Sequence, residues 1–98
     1  MSATAAIWPD GDVDPDAGVQ ARRCLEIIED ALRECGATLR DVVRTRVFLV
    51  DAAHAAAVGK VHGEVFERIR PASGWIVVRG FLDPRWLVEI EADAVVAG

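Results

Sequence analysis

From Trp86 to Val96 the chain alternates. Trp86, Val88, Ile90, Ala92, Ala94 and Val96 share one face of an extended segment, while Glu89, Glu91 and Asp93 share the other. Side chains of a strand point to opposite sides in turn, so this period of two predicts the longest strand of the chain, apolar on one face and acidic on the other. Such a strand needs neighbours in a sheet and a second layer over its apolar face. Three acids on a dry surface would be costly. The acidic face is therefore solvated, lined with arginines, or set against a cleft between subunits.

Two segments have the pattern of that second layer. Ala17 to Cys35 reads as a helix: Ala21, Cys24, Leu25, Ile28, Ala31, Leu32 and Cys35 recur at spacings of three and four. Asp16 is its natural N-cap and Gly36 supplies the left-handed residue that ends it. Glu29 and Arg33, four apart, can pair in solvent. A second helix runs from about Ala53 to Ile69, with Ala57, Val58, Val61, Val65, Phe66 and Ile69 as its buried stripe, and Pro71 stops it.

Between the helices, Thr38 and Asp41 form a short capping turn, and Val42 to Val50 reads as a strand that Asp51 ends. Val43, Thr45, Val47 and Leu49 share one face of it; Arg44, Arg46 and Phe48 share the other. Trp75 to Arg79 is a further short strand, Asp83-Pro84 a turn, and Ser2 to Trp8 a weak extended segment. A strand, a helix and a second strand in this order predict a right-handed crossover. The expected fold is thus α/β, a two-layer sandwich in which two helices cover one sheet.

Length and composition narrow the class. Ninety-eight residues make a single domain, 1–98, with room for one modest core. Hydrophobic residues at 52% against 28% charged ones describe a globular chain. No apolar run reaches the ~20 residues of a membrane span, and no secretion signal opens the chain. The net charge of −5 disfavours general nucleic-acid binding, which rests on neutralising phosphates. Cys24 and Cys35 lie eleven residues apart on one helix, roughly 16 Å by helical rise, too far for a disulfide. Buried free thiols in a reducing cytoplasm are the expectation.

Few motifs carry chemistry by themselves. Asp10, Asp12, Asp14 and Asp16 suggest a calcium loop, but Pro15 and Ala21 stand where an EF-hand wants Gly and Glu. Turn chemistry is the simpler account. His62-Gly63-Glu64 matches half of a zinc-deaminase signature whose Pro-Cys-x-x-Cys half is absent, and His54 and His62 are too far apart along a helix to share a metal. No metal or cofactor is expected. Arg44, Arg46 and Arg79 are the candidate partners of the acidic face.

Four stretches taken together resemble the reactive intermediate deaminase (Rid) family, also called endoribonuclease L-PSP. They are Gln20-Ala21-Arg22 with Gly36; Asp41-Val42-Val43 running into Val47-Phe48-Leu49-Val50-Asp51; Pro71-Ala72; and Leu87-Val88-Glu89-Ile90-Glu91-Ala92. The resemblance implies a chorismate-mutase-like fold with a mixed sheet, a homotrimer, and ligand clefts between subunits. The active branch of the family hydrolyses enamines and imines, with an arginine after the Pro-Ala pair holding the substrate carboxylate and a glutamate on the last strand positioning water. Glu89 matches that glutamate. Ser73 stands at the arginine's place, Gly59 where many active members carry asparagine, and His62 where tyrosine is common. Ser73, Gly74, Trp75, Gly59 and His62 are thus the candidate ligand-binding residues and Glu89 the candidate catalytic one. A hydroxyl cannot reproduce the two parallel hydrogen bonds of a guanidinium.

Three functional readings follow from this resemblance. One is an oligomer that binds a small molecule without the deaminase activity. Another is an imine hydrolase in which Glu89 activates water and Arg46 or Arg79 replaces the missing arginine. The weakest is a ribonuclease, which the acidic net charge and the lack of a basic, aromatic-interleaved stripe oppose. Family chains also open with a β-hairpin, of which Ser2-Ala3-Thr4 matches the end of the second strand. Either this start is internal or the hairpin is lost; without the hairpin the sheet has an unpaired edge, which would favour tight subunit association.

Overall fold

The structure, a computed structural model, describes residues 4–96. Its elements are β1 (Thr4–Ala5), α1 (Ala17–Glu34), β2 (Val42–Leu49), α2 (Ala55–Phe66), β3 (Ala72–Val77) and β4 (Val88–Ala94). Short 3-10 turns at Leu39–Asp41 and Ala52–His54 precede β2 and α2. The sheet order is β1-β4-β2-β3, with β2 and β3 parallel and the other neighbours antiparallel. The parallel pair requires a crossover, and α2 supplies it.

The expected α/β sandwich with a mixed sheet under two helices is what forms. Val47, Leu49, Val88, Ile90 and Ala92 of the sheet pack with Cys24, Leu25, Ile28, Leu32, Val58, Val61 and Phe66 of the helices in one core. Among the described residues no helix or strand covers the other face of the sheet.

Local chemistry explains the boundaries of α1. Asp16 accepts a hydrogen bond from the Val19 N–H at 3.0 Å, which caps the start. Gly36 sits at φ +79, the Ala37 N–H reaches the Leu32 carbonyl at 2.8 Å and the Gly36 N–H reaches Arg33 at 3.1 Å. This pair of bonds is a Schellman motif, and it needs the left-handed residue that glycine adopts without strain. Glu29 and Arg33 pair at 3.3 Å as expected. The Asp ladder makes turns: Asp10 accepts from the Asp12 N–H and Asp14 from the Asp16 N–H.

Several expected boundaries shift. The last strand is shorter than Trp86 to Val96, because Trp86 and Leu87 belong to the approach from the Asp83-Pro84 turn. β3 begins at Ala72 instead of Trp75, since its register is imposed by pairing with Arg44 through Leu49 and not by its own residue types. A bulge leaves Val43 as the extra residue between Val42 and Arg44, so Val42 is buried and Val43 half exposed. α2 is shorter than expected, its Ala57 is exposed, and His62 joins its buried face. Cys35, expected in the core, caps α1 and is exposed; Cys24 is buried, and neither is in a disulfide. Of the Ser2 to Trp8 segment, Thr4 and Ala5 pair with Ile90 and Glu89, while Ser2 and Ala3 lie outside the described residues.

One buried polar side chain ties the loops to this frame. Gln20, fully buried on α1, donates from Nε2 to the Asp14 and Arg85 carbonyls at 2.7 and 2.9 Å. Its Oε1 accepts from the Leu87 N–H at 2.8 Å. A buried amide survives only with its bonds made, and here three are. No helix among the described residues is long and apolar enough to cross a membrane.

Candidate functional site

Thr45 of β2 is the hub of the first group. In the parallel register it lies beside Ser73 of β3, and both face the helices. Its hydroxyl donates to Ser73 Oγ at 3.1 Å and meets His62 Nε2 at 2.8 Å. Ser73 Oγ also accepts from the Trp75 indole N–H at 3.0 Å. His62 packs against Phe66 at 4.8 Å with the rings tilted by 45°, and meets Trp75 edge-on at 5.7 Å between ring centres. A Cβ at Gly59 would touch the Trp75 indole at 3.8 Å, so the ring lies beside that turn of α2.

The helix layer buries Thr45 and His62, at 1% and 8% exposure, and leaves Ser73 and Trp75 at the surface. Burial holds the His62 imidazole below its ordinary pKa and favours the neutral ring. The fold thus gathers four of the expected residues, Gly59, His62, Ser73 and Trp75, at the free edge of β3. Sequence reading missed the fifth member, Thr45. The signal was a hydroxyl within an apolar stripe of β2 and a histidine on the inner face of α2, two polar groups on faces that had to meet.

The second group lies on the opposite face of the sheet. Across β2 and β4 the register pairs Arg44 with Asp93, Arg46 with Glu91 and Phe48 with Glu89. Arg44 Nη2 sits 2.7 Å from Asp93 and its Nε donates to the same oxygen at 2.9 Å, which lowers the Asp93 pKa. Arg46 Nε approaches Glu91 at 2.6 Å, an ion pair whose N–H is not aimed at the oxygen.

Glu89, opposite Phe48, forms no ion pair among the described residues, and partial burial raises its pKa. The expected arginine-lined acidic face is therefore present for two acids of three. Gly74 lies in register with Arg46, its backbone next to that side chain. Glu89 and Ser73 are separated by β2, sit three register positions apart and point to opposite faces, so one chain does not bring them together. Arg79 is exposed in the loop after β3.

Chemically the first group offers one surface hydroxyl wired to a buried imidazole and flanked by an indole. The second offers a carboxyl whose pKa burial raises. Among the described residues no three His, Cys, Asp or Glu side chains converge as a metal site.

Comparison with known proteins gives the arrangement a context. Residues 2–96 match the family described as Endoribonuclease L-PSP. Over 65 residues, 66% of its length, the chain is 42% identical to an uncharacterized protein of Streptomyces coelicolor, 48% of which it covers. Over 79 residues, 81% of its length, it is 38% identical to the 3-aminoacrylate deaminase RutC of Acinetobacter baylyi, 62% of which it covers. The chain thus spans about half to three fifths of the length of these curated relatives. A crystal structure of a Mycobacterium tuberculosis member of the YjgF/YER057c/UK114 family superposes with a TM-score of 0.89 at 41% identity, covering 98% of this chain and 76% of that one.

Proposed function

The chain belongs to the endoribonuclease L-PSP family, and from that premise we propose that it is a cytoplasmic homotrimer binding a small molecule in clefts between subunits, without the imine deaminase activity of the family's active branch. The observation that carries this reading is Ser73. At the position after Pro71-Ala72, where the resemblance places a carboxylate-gripping arginine, stands a hydroxyl already engaged by Thr45 and Trp75. A neutral group with one free proton cannot hold a carboxylate as a guanidinium does.

Two features support the assembly. β3 is an edge strand that exposes Trp75, Ile76 and Val77, and such edges are normally covered. Glu89 and Ser73 point to opposite faces of one sheet, so a ligand touching both must lie between copies. Light scattering is expected to give a trimer at micromolar concentration. An unbiased ligand screen on that assembly is expected to perturb Ser73, Trp75 and their neighbours. A stable monomer, or ligands that avoid this region altogether, would overturn the reading.

One observation favours an alternative, an imine hydrolase centred on Glu89. Of the three acids on the open face it alone lacks an arginine among the described residues, and its raised pKa suits a group that exchanges protons with water. Under this alternative Glu89→Gln abolishes turnover and leaves the oligomer intact. Full activity in that variant would exclude Glu89 as the base.

A further inference from the structure

α2 turns Gly59 toward Trp75 on one flank and packs against α1 on another. On the α1 flank the two helices line a cavity of about 370 Å³ that opens to solvent. Its floor is small and apolar. Gly18 of α1 is buried there, where a Cβ would meet the Ala57 carbonyl oxygen at 3.6 Å, and Val61 of α2 is buried as well. Trp8 and Val19 complete the wall, Trp8 half-buried and Val19 44% exposed, so apolar surface is left open to a ligand.

The charges on the rim do not cancel. Three of the eleven basic residues line the cavity: Arg22, Arg23 and Lys60, the one lysine of the chain. Arg22 is engaged by Glu64 in an ion pair that bridges the helices, and Asp16 by the Val19 N–H. The Arg23 Nε–H donates to the Ile7 carbonyl at 2.7 Å, which ties the guanidinium to the residue before Trp8. Among the described residues, the terminal nitrogens of Arg23 and the Lys60 ammonium have no protein acceptor, and Glu26 is the one carboxylate of the rim without a partner. Two free cations against one free acid leave an excess of positive charge, in a chain whose net charge is −5.

We propose that this groove binds a flat organic anion, an aromatic ring carrying one sulfonate or carboxylate group, with the ring against the Trp8 indole and the anionic group on Arg23 and Lys60. An apolar concavity with a few charged groups at its rim is the usual form of a small-molecule site. An indole offers a flat face on which an aromatic ring packs. Solvated cations at a rim hold an anion without stripping its water, so the cost of burying a charge is avoided and the sign of the charge decides what stays. The groove is lined by one chain and uses neither face of the sheet. It therefore stands apart from the subunit clefts of the preceding proposal.

Naphthalenesulfonate and the neutral naphthalenesulfonamide serve as a matched pair, alike in shape and different in charge. The three indoles of the chain report where each probe goes, since Trp8 lies in the groove, Trp75 on β3 and Trp86 in the loop before β4. Titrated into the assembled protein and followed by NMR, the sulfonate is expected to move the Trp8 indole N–H signal at millimolar concentration, and those of Trp75 and Trp86 less. The sulfonamide should bind there at least about threefold more weakly. Lys60→Glu, at an exposed helix position, should weaken the sulfonate about fivefold, and Glu26→Gln, also exposed, should tighten it about twofold. Loss of the fold cannot produce effects of opposite sign.

Equal binding of the sulfonamide at Trp8 would overturn the inference, as would an affinity at Trp8 that neither charge variant changes. If the sulfonate moves Trp75 and leaves Trp8 still, the inference falls and the subunit-cleft reading is untouched. Absence of binding at millimolar concentration overturns it too.

Discussion

Burial raises the pKa of both Cys24 and Glu89. Burial pushes the Cys24 thiol up to about 12, and the Glu89 charge adds to that effect. A thiol that does not ionise near neutrality does not react, whereas Cys35 is exposed at the end of α1. Native protein should therefore yield one reactive thiol per chain to a disulfide reagent at pH 8, and denatured protein two. Two fast thiols in the native state would contradict the packing of α1 on β4.

For Glu89 the sign follows from its raised folded pKa. The group's contribution to stability is fully present below the ordinary carboxylate pKa near 4.5 and is lost as pH rises through the folded value. Glu89→Gln keeps the shape and removes the charge, so it should raise stability at pH 7 and flatten that part of the pH profile. Loss of stability at pH 7 would mean that the carboxylate has a favourable partner in the assembly. Residue chemistry of this kind was partly legible in the sequence. Three acids facing Arg44 and Arg46 implied salt bridges on the sheet, but only the register decides that Glu89 faces Phe48 and is left over.

Among the elements, α1 and β4 were legible because their signals are local. Caps, a Schellman glycine and a strict hydrophobic period lie within one stretch of chain. The first half of β3 was not, because Ala72, Ser73 and Gly74 have little strand propensity and are held extended by their parallel partner. The Val43 bulge escaped for a related reason, since one inserted residue reverses the alternation without changing composition. Thr45 meeting His62 depends on how α2 sits over β2, which no single segment encodes.

Gln20 belongs to the same scale, as the contact that fastens two loops to α1. Gln20→Ala leaves the Leu87 N–H and two carbonyls without their partner and opens space in the core. Denaturant unfolding should show a loss of about 2–4 kcal/mol. A loss below 0.5 kcal/mol would mean that water replaces the amide. Hydrogen exchange should also speed up between Asp83 and Leu87, where the chain rests on that side chain.

At the scale of the whole molecule, one sheet divides the candidate chemistry between its two faces. Ser73, Trp75 and His62 serve the helix side at the β3 edge, and Glu89 serves the open side. Under the assembly proposed above, contacts between copies would reunite them. Relatives in this family include a 3-aminoacrylate deaminase, so the presence or absence of that activity separates a working enzyme from a binding protein on the same frame. The direct measurement couples a dehydratase that releases 2-aminoacrylate to the assembled protein and follows how fast the imine disappears. With Ser73 in place of a guanidinium, the rate should equal that in buffer. Clear acceleration by the wild-type protein would contradict the account and show that another residue does the arginine's work.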